Sequence, residues 1–357
     1  LGKVWEKWPK YFAKVGVESS NLFARSNFSI PMKIFRHLAA SVVGLMVLGG
    51  AAQAAWRPVA FPAAEATLRA VATDGAGRIL VGGSRGTLAE SRDGGATWRL
   101  SAAPDGAALD FRGVALTGSR SAVAMSAGEA EAGRARLYVT GDGAVWRLAH
   151  ETRRAGAFLD AVAFWDRRNG LVLSDPVDGR WLLLRTSDGG RSWRELPASF
   201  PPLRPGEAAF AASNSALFPG PGGRAWIVSG GEGGGRVFRS RNRGATWQVS
   251  GTPIAGGPNG GVFGGLALDA RRAVIVGGDH KDEMRPGQGL AVTVDGGAEW
   301  TAVTGGAQPG LLESVGRLDR RTLLAVGPRG TSLSRDGGRT WSRSEEHTSE
   351  LQSRGLI

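Results

Sequence analysis

Short apolar runs, each bounded by glycine, aspartate or serine, repeat along most of the chain, whereas long apolar faces at helical spacing are few. The first unit contains four such runs, at residues 68–73, 78–83, 86–91 and 98–100, separated by glycine-containing turns. Runs of this length, rich in aliphatic and β-branched residues and bounded by turn residues, predict β-strands joined by hairpins. The pattern of apolar and polar positions therefore predicts an all-β protein.

An eight-residue motif, Ser/Thr-x-Asp-x-Gly-x-x-Trp, follows the third run of each unit, and the copy at 140–146 is one residue shorter. The aspartate (once asparagine) and tryptophan of the six copies are Asp93 and Trp98, Asp142 and Trp146, Asp188 and Trp193, Asn242 and Trp247, Asp295 and Trp300, and Asp336 and Trp341. The carboxylate suits a hairpin turn because it accepts backbone N–H groups two residues on. The glycine supplies a positive φ, and the tryptophan buries a large ring. We interpret each copy as a structural turn, with a catalytic aspartate as the alternative.

The spacing of the motifs predicts the architecture. Their central residues are separated by 49, 46, 54, 53 and 41 positions, so the period averages about 49. A period of this length with one signature per repeat is typical of a β-propeller. Residues 55–343 are therefore expected to form a propeller of four-stranded blades, with six blades visible. Residues 55–61 read as an outer strand with no blade before it, which predicts seven blades in the intact protein.

Both ends of the chain fall outside the repeats. A basic stretch at 32–37, an apolar run at 38–50 and a small-x-small site at 52–54 have the pattern of a secretory signal peptide. We expect residues 32–54 to be that peptide and the protein to be periplasmic or extracellular, without a stable membrane span after cleavage. Residues 1–31 are interpreted as upstream sequence translated in frame, with a membrane-anchored extension as the alternative. Residues 344–357 read as an adapter-like artefact or, alternatively, a disordered tail.

Composition excludes several kinds of chemistry. The chain has 357 residues, 56 of them glycine, and no cysteine, so thiolate metal sites, disulfides and cysteine nucleophiles are impossible. Residues 55–343 carry 36 basic and 27 acidic side chains, a net charge of +9, and Lys281 is their only lysine. The arginines are scattered without the aromatic-interleaved stripe of a nucleic-acid site. No dinucleotide fingerprint, phosphate loop or histidine cluster appears, so no cofactor and no metal are predicted, and the glycine-rich 230–235 reads as a hairpin.

Three insertions in the repeat pattern supply the candidate binding residues, since sites on regular scaffolds concentrate in loops. They lie at 173–179, 205–210 and 277–283. The candidates are Asp175, Asp178, Glu207, Asp279 and His280. Each has a structural alternative: ordinary turn formers for the first two, a solvated charge for Glu207 and an exposed surface histidine for His280.

The motif resembles the Asp box of the sialidase-like (BNR) repeats. With the length and the signal-peptide pattern, residues 56–341 resemble exported bacterial BNR/WD40-like repeat propellers, including relatives of the photosystem II assembly and stability factors. The photosynthetic relatives bind a membrane-protein partner through arginines, which the resemblance does not place on particular residues here. It implies a non-enzymatic, monomeric scaffold or assembly factor that binds a protein or an envelope polymer.

Two enzymatic alternatives remain open. Resemblance to a sialidase-type glycosidase would imply a tyrosine nucleophile and an Arg-Ile-Pro signature. Residues 55–343 lack that signature, and their only tyrosine is Tyr138. A glycoside hydrolase with two carboxyl groups would use Asp175, Glu207 or Asp279, and it requires a pair about 5–10 Å apart across a cleft. A redox or cofactor enzyme is the third and least supported class. The sequence therefore predicts the fold more firmly than the function.

Overall fold

A computed structural model describes residues 59–63, 65–212, 214–285, 289–307 and 310–343. These residues form six four-stranded antiparallel sheets, the blades of a β-propeller, as the motif spacing predicts. The one helical element in these ranges is a single 3-10 turn at Pro221–Gly223. The predictions for residues 1–31, 32–54 and 344–357 fall outside the described residues.

Each blade is a meander in which every strand pairs antiparallel with the next strand along the chain. The strands are β1 (Leu68–Thr73), β2 (Ile79–Gly83), β3 (Leu88–Ser91) and β4 (Arg99–Ser101) in blade 1; β5 (Asp110–Leu116), β6 (Ala122–Ala127), β7 (Arg136–Thr140) and β8 (Trp146–Glu151) in blade 2; β9 (Leu159–Phe164), β10 (Gly170–Val177), β11 (Arg180–Thr186) and β12 (Arg194–Glu195) in blade 3; β13 (Leu217–Gly220), β14 (Arg224–Ser229), β15 (Arg236–Ser240) and β16 (Gln248–Gly251) in blade 4; β17 (Gly260–Ala267), β18 (Ala273–Asp279), β19 (Leu290–Thr293) and β20 (Thr301–Ala302) in blade 5; and β21 (Ser314–Arg317), β22 (Leu323–Gly327), β23 (Gly330–Ser334) and β24 (Ser342–Arg343) in blade 6.

The first strand of each blade is its inner strand. Consecutive inner strands contact each other in chain order, from β1 through β5, β9, β13 and β17 to β21. They line the ring axis, as in other propellers. Second strands are covered on both faces by neighbouring blades, which is why all of β6 (Ala122–Ala127) is buried and shows no apolar–polar alternation.

The hydrophobic core lies between blades. Tyr138 belongs to the cluster that joins blades 1 and 2, Trp193 to the one between blades 2 and 3, Trp226 to the one across blades 3, 4 and 5, and Trp341 to the one between blades 5 and 6. Truncating a buried tryptophan to alanine typically costs about 3–5 kcal/mol, so these rings contribute strongly to stability. In the described residues no such cluster joins blade 6 to blade 1, and the seventh blade stays a prediction.

One local prediction was wrong, and a second lies mostly outside the described residues. The insertion at 173–179 is mostly strand, because β10 (Gly170–Val177) continues through Pro176, where a register shift next to Ser174 takes up the proline. Only Asp178 and Gly179 form its turn, with φ of 52° and 75°. Of the predicted outer strand at 55–61, residues 59–61 are described and pair with no strand. Instead Phe61 packs edge-on against Trp98, with ring centroids 5.1 Å apart.

Candidate functional site

The meander gives the ring two chemically different ends. The turns between first and second strands and the repeated motifs lie at one end, which we name the motif end. The hairpins between second and third strands and the connections between blades lie at the other, the linker end. Every functional side chain discussed below belongs to one of these two ends.

The motif of blade 1 shows how the motif end is built. Ser91 Oγ accepts the Gly95 N–H at 2.8 Å and donates to Asp93 Oδ1 at 2.8 Å. Asp93 accepts the Thr97 N–H at 2.9 Å and the Thr97 hydroxyl at 2.6 Å, and Trp98 Nε1 donates to the Gly95 carbonyl at 3.1 Å. The backbone donor to Asp93 thus lies four residues on, rather than the two residues predicted. The Thr97 hydroxyl and N–H and then the Ser91 hydroxyl lower the pKa of Asp93 to about 2, so this carboxylate is a charged hairpin lock.

All five candidates from the insertions lie at the linker end. Asp175 lies on β10, Asp178 in the β10–β11 turn and Glu207 in the connection between blades 3 and 4, whereas Asp279 ends β18 and His280 follows it. Their shared end does not test their role, so their role in binding stays a prediction. Asp178 is exposed and accepts Arg154 Nη2 at 2.8 Å.

Glu207 is not a solvated charge, because its carboxylate is almost completely buried against Arg236. Arg236 donates through Nε at 2.8 Å and also through Nη2, the Ser229 hydroxyl donates at 2.6 Å, and the Arg204 N–H donates at 3.0 Å. Burial alone would raise the pKa of Glu207, but these donors outweigh it and lower the pKa below its usual range. Glu207 therefore fastens the connection between blades 3 and 4 to blade 4.

Asp279 and His280 are also built into the fold. Asp279 Oδ1 accepts the N–H groups of Lys281 at 2.9 Å and Asp282 at 3.2 Å, and Oδ2 pairs with Arg285 at 3.0 Å. The His280 ring is partly buried, 6.1 Å from the Phe210 ring centroid, and burial lowers the pKa of this histidine. A histidine with a lowered pKa is neutral at pH 7.

Sequence reasoning missed Asp160, an aspartate inside the apolar β9 (Leu159–Phe164). It is 1% exposed, and its Oδ2 has no hydrogen-bond partner among the described residues. Burial and then the charge of Asp175 raise the pKa of Asp160 well above its usual range, against the opposing charge of Arg112. Burial likewise raises the pKa of Asp175 to about 6, although the Ala209 N–H opposes this shift. We name these two aspartates the carboxyl pair, and both bind a proton more readily than a solvated aspartate does.

A short ion-pair chain extends from this pair toward blade 1. Arg112 Nε donates to Asp110 Oδ2 at 2.9 Å, and Arg69 Nε lies 3.4 Å from Asp110 Oδ1. Arg112 also donates through Nη1 to the Ala211 carbonyl at 3.3 Å. The linker end of the axis therefore carries alternating charges held by the inner strands of blades 1, 2 and 3.

The motif end holds a different feature, a hollow of about 820 Å³ between blades 2 and 3. We name it the arginine hollow, because five arginines and one carboxylate line it: Arg120, Arg147, Arg167, Arg168, Arg191 and Asp188. All five arginines are exposed. Arg168 donates to the Ser187 carbonyl at 3.3 Å and Arg191 to the Asp188 carbonyl at 3.3 Å. The guanidinium groups of the other three arginines make no hydrogen bond or ion pair with a described residue.

The wall of the hollow is fixed from blade 1 by a buried arginine. Arg78 pairs with Glu90 at 3.2 Å, and its guanidinium donates to the carbonyls of Gly118 at 2.6 Å, Ser121 at 3.0 Å and Arg120 at 3.0 Å. These bonds hold the β5–β6 turn, which carries the Arg120 side chain, in one place. Preorganised cationic walls lose little entropy when an anion binds.

The described part of the chain contains no group of three or more histidine, aspartate or glutamate side chains arranged to hold a metal ion. Nor do the described residues include a helix long and apolar enough to cross a membrane.

Comparisons with known proteins extend the description of the fold. No protein-family model matches the chain, and no curated protein matches it significantly. Solved structures do match: "YCF48 bound to D1 peptide" at 17% identity and a TM-score of 0.54, covering 79% of this chain and 83% of that one. "YCF48 from Cyanidioschyzon merolae" matches at 17% identity and a TM-score of 0.55, covering 82% of this chain and 89% of that one. An ancestral GH74 enzyme matches at 14% identity and a TM-score of 0.55, covering 82% of this chain but 40% of that one. At these identities the chain shares the propeller fold with all three.

Proposed function

We propose that this propeller is a non-enzymatic binding module that holds an acidic segment of a protein partner in the arginine hollow. The main support for this proposal is that five exposed guanidinium groups surround one hollow of about 820 Å³. The only lining carboxylate, Asp188, already accepts the Ser192 hydroxyl at 2.6 Å and the N–H groups of Arg191 and Ser192. The hollow thus carries a net positive charge, and some of its guanidinium N–H groups donate to no described residue.

Carboxylates are the ligand class that these donors fit. Arginine presents a planar fork of N–H groups that pairs with both oxygens of a carboxylate, and such charge-assisted bonds are about twice as strong as neutral ones. A hollow of this size lies within the range of pockets that enclose a small ligand or a few residues of a peptide. Aspartate or glutamate side chains, or a chain-terminal carboxylate, match it.

Two further observations support a protein partner. The fold is shared with a YCF48 structure that contains a D1 peptide, so a propeller of this shape does hold a peptide in that protein. The signal-peptide pattern at 32–54 supports a proposed location outside the cytoplasm, in the periplasm or beyond. The peptide partner and the location outside the cytoplasm are both part of the proposal, which goes beyond the shared fold.

The test is a binding titration with a fluorescein-labelled glutamate decapeptide and its glutamine counterpart, followed by fluorescence anisotropy. We expect the glutamate peptide to bind and the glutamine peptide not to bind. The double variant Arg147→Ser/Arg167→Ser removes two unpaired guanidinium groups and should weaken binding by at least about tenfold, because each charged hydrogen bond contributes about 1.5–3 kcal/mol. Higher salt should weaken binding as well.

A charge-matched control separates a specific site from general attraction. Arg335 and Arg339 are exposed in the motif of blade 6, away from the hollow, and Arg335→Ser/Arg339→Ser changes the net charge equally. We expect this control to bind nearly as tightly as the wild type. Equal weakening by both double variants would mean that the hollow is not a site, and the proposal would fall.

The second candidate function is glycoside hydrolysis, which one observation favours. The pKa values of Asp160 and Asp175 are both raised by burial, as is typical of a general acid. However, Asp160 is 1% exposed, so a sugar cannot reach it without rearrangement, and Tyr138 is fully buried with its hydroxyl bonded to the Pro104 carbonyl. Reducing ends released from a polysaccharide by the wild type and not by Asp175→Asn would favour this candidate over the first.

A further inference from the structure

One short segment at the linker end contacts four of the six blades. Residues 207–212, which we name the strap, pair with blade 4 through Ala208 and Gly230, whose N–H groups and carbonyls bond reciprocally at 3.2 and 3.0 Å. The Ala209 N–H donates to Asp175 of blade 3 at 3.2 Å, and the Ala211 carbonyl accepts Arg112 of blade 2 at 3.3 Å. A segment that reaches inner strands on several sides of the ring lies across the end of its axis.

Blade 5 supplies the remaining contact of the strap. The Phe210 ring stacks on Phe263 of β17, with centroids 3.9 Å apart and planes 6° from parallel. His280 lies edge-on to both rings. At the start of the strap, Glu207 is fastened by Arg236. The strap is therefore held by one ion pair, one aromatic stack and a few single hydrogen bonds.

The carboxyl pair takes part in this hold directly. Asp175 is the acceptor for the strap, and Asp160 lies beside it on the adjacent strand, where Leu159 pairs with Ser174. Asp160 Oδ2 is buried without a hydrogen-bond partner in the described structure. An ionised carboxylate in that position loses its water and gains no donor in return, whereas a protonated one loses much less.

The other charged groups near the pair do not balance a second negative charge. The charge of Arg112 acts on Asp160, but its Nε is already bonded to Asp110, which also attracts Arg69. Glu207 is neutralised by Arg236, and Asp279 by Arg285. The closed arrangement can therefore accommodate one negative charge on the pair and not two.

We propose that the strap is a proton-linked closure of the linker end: it closes while the Asp160–Asp175 pair retains a proton, and it loosens when both carboxyls are ionised. Loosening the strap admits water, which stabilises the second charge. The proton and the closed strap thus stabilise each other, as linkage requires.

The direction of the pH effect follows from the raised pKa values. Closure raises the pKa of Asp160 by burial and of Asp175 to about 6, so the closed form binds protons more tightly than an opened, hydrated form does. Acidic to neutral pH then favours the closed strap. Loss of the last proton of the pair at higher pH favours the open strap.

Hydrogen–deuterium exchange of the full chain tests the proposal, with the rates corrected for the intrinsic pH dependence of amide exchange. In the wild type we expect the opening equilibrium of peptides covering residues 207–212 to rise by at least about tenfold from pH 6 to pH 9, which corresponds to one pKa unit of linkage. In Asp160→Asn, whose amide imitates the protonated acid, we expect protection to stay constant over the same range.

The matched control is Asp178→Asn, which changes an exposed aspartate of the same blade that pairs with Arg154 away from the strap. Its exchange profile should equal that of the wild type. A wild-type profile without pH dependence overturns the proposal, whether or not Asp160→Asn folds. A pH dependence that persists unchanged in folded Asp160→Asn overturns it too, and neither result bears on the arginine hollow at the opposite end.

Discussion

Aspartates at the two ends of the ring have opposite proton affinities. At the motif end, hydrogen bonds from neighbouring residues lower the pKa of Asp93 and Asp336 to about 2, and both are largely solvated. At the linker end, burial raises the pKa of Asp175 to about 6 and raises that of Asp160 well above its usual range. Aspartate thus stays ionised to low pH at the motif end and is more easily protonated at the linker end.

The number of donors that meet each carboxylate explains the difference. Asp336 accepts the Arg339 N–H, the Thr340 N–H and the Thr340 hydroxyl while keeping contact with water. Asp160 Oδ2 has lost its water and has no donor among the described residues. Net charge nearby matters less, since both ends contain arginines. Carboxylates with donors hold the fold rigid, whereas those without donors make it sensitive to pH.

Glu207 provides the strongest test of this contrast, because it is buried like Asp160 but fully hydrogen-bonded. Replacing it with alanine leaves Arg236 as a buried, unpaired charge, and breaking buried pairs in this way typically costs about 3–5 kcal/mol. We expect Glu207→Ala to lower the free energy of unfolding by that amount, measured by urea titration with tryptophan fluorescence. The exposed Glu195, paired with Arg154 at 3.0 Å, is the control. Glu195→Ala should cost less than about 1 kcal/mol.

Asp160→Asn should reveal the cost of a buried carboxyl without donors. Because the folded-state pKa is raised, Asp160 stabilises the fold fully below its unfolded pKa of about 4, and this stabilisation is lost as pH rises through the folded value. The variant should therefore be more stable than the wild type at pH 8, by more than about 1.4 kcal/mol if the shift exceeds one unit. Urea titrations at pH 5 and pH 8 measure the change. An equal loss of stability at both pH values would contradict the prediction.

The motif of blade 4 offers the smallest and most local test, since it carries Asn242 where the other motifs carry aspartate. Asn242 Oδ1 accepts the Thr246 N–H at 2.9 Å, so Asn242→Asp keeps the acceptor and adds charge to the hydrogen bond. We expect a gain of about 0.5 kcal/mol at pH 7. Because a motif carboxylate has a lowered pKa, the gain should disappear as pH falls from 4 to 2. The reverse change, Asp93→Asn, should lose stability above pH 4 and match the wild type at pH 2.

The regular part of the fold was predictable because local sequence signals mark each blade. Short apolar runs and the motif give strand order and blade number, and β1 (Leu68–Thr73) matches the predicted bounds. Proline and aspartate in 173–179 misled the interpretation, since β10 continues through them with an irregular register. Irregularities that tertiary packing permits leave little trace in sequence.

The sites were much less predictable, for a geometric reason. The arginines of the hollow are spread between Arg120 and Arg191, and only the packing of two blades brings their turns together. Scattered along the sequence, they do not form the aromatic-interleaved stripe of a nucleic-acid site. Asp160 did leave a signal, a lone acid inside an apolar strand, which is costly unless the position has a special role.

The glycine of the motif, two residues after the aspartate, implies an order in which the ring is built. A side chain at Gly190 of blade 3 would collide with Val123 of blade 2, one at Gly297 of blade 5 with Trp226 of blade 4, and one at Gly338 of blade 6 lies close to Val274 of blade 5. The motif of each of these three blades thus packs closely against the blade that precedes it in the chain. During synthesis from the N-terminus, a new blade finds its docking surface already folded when its motif emerges. Assembly of this propeller is therefore expected to proceed in one direction, with the hairpin lock of each blade closing last.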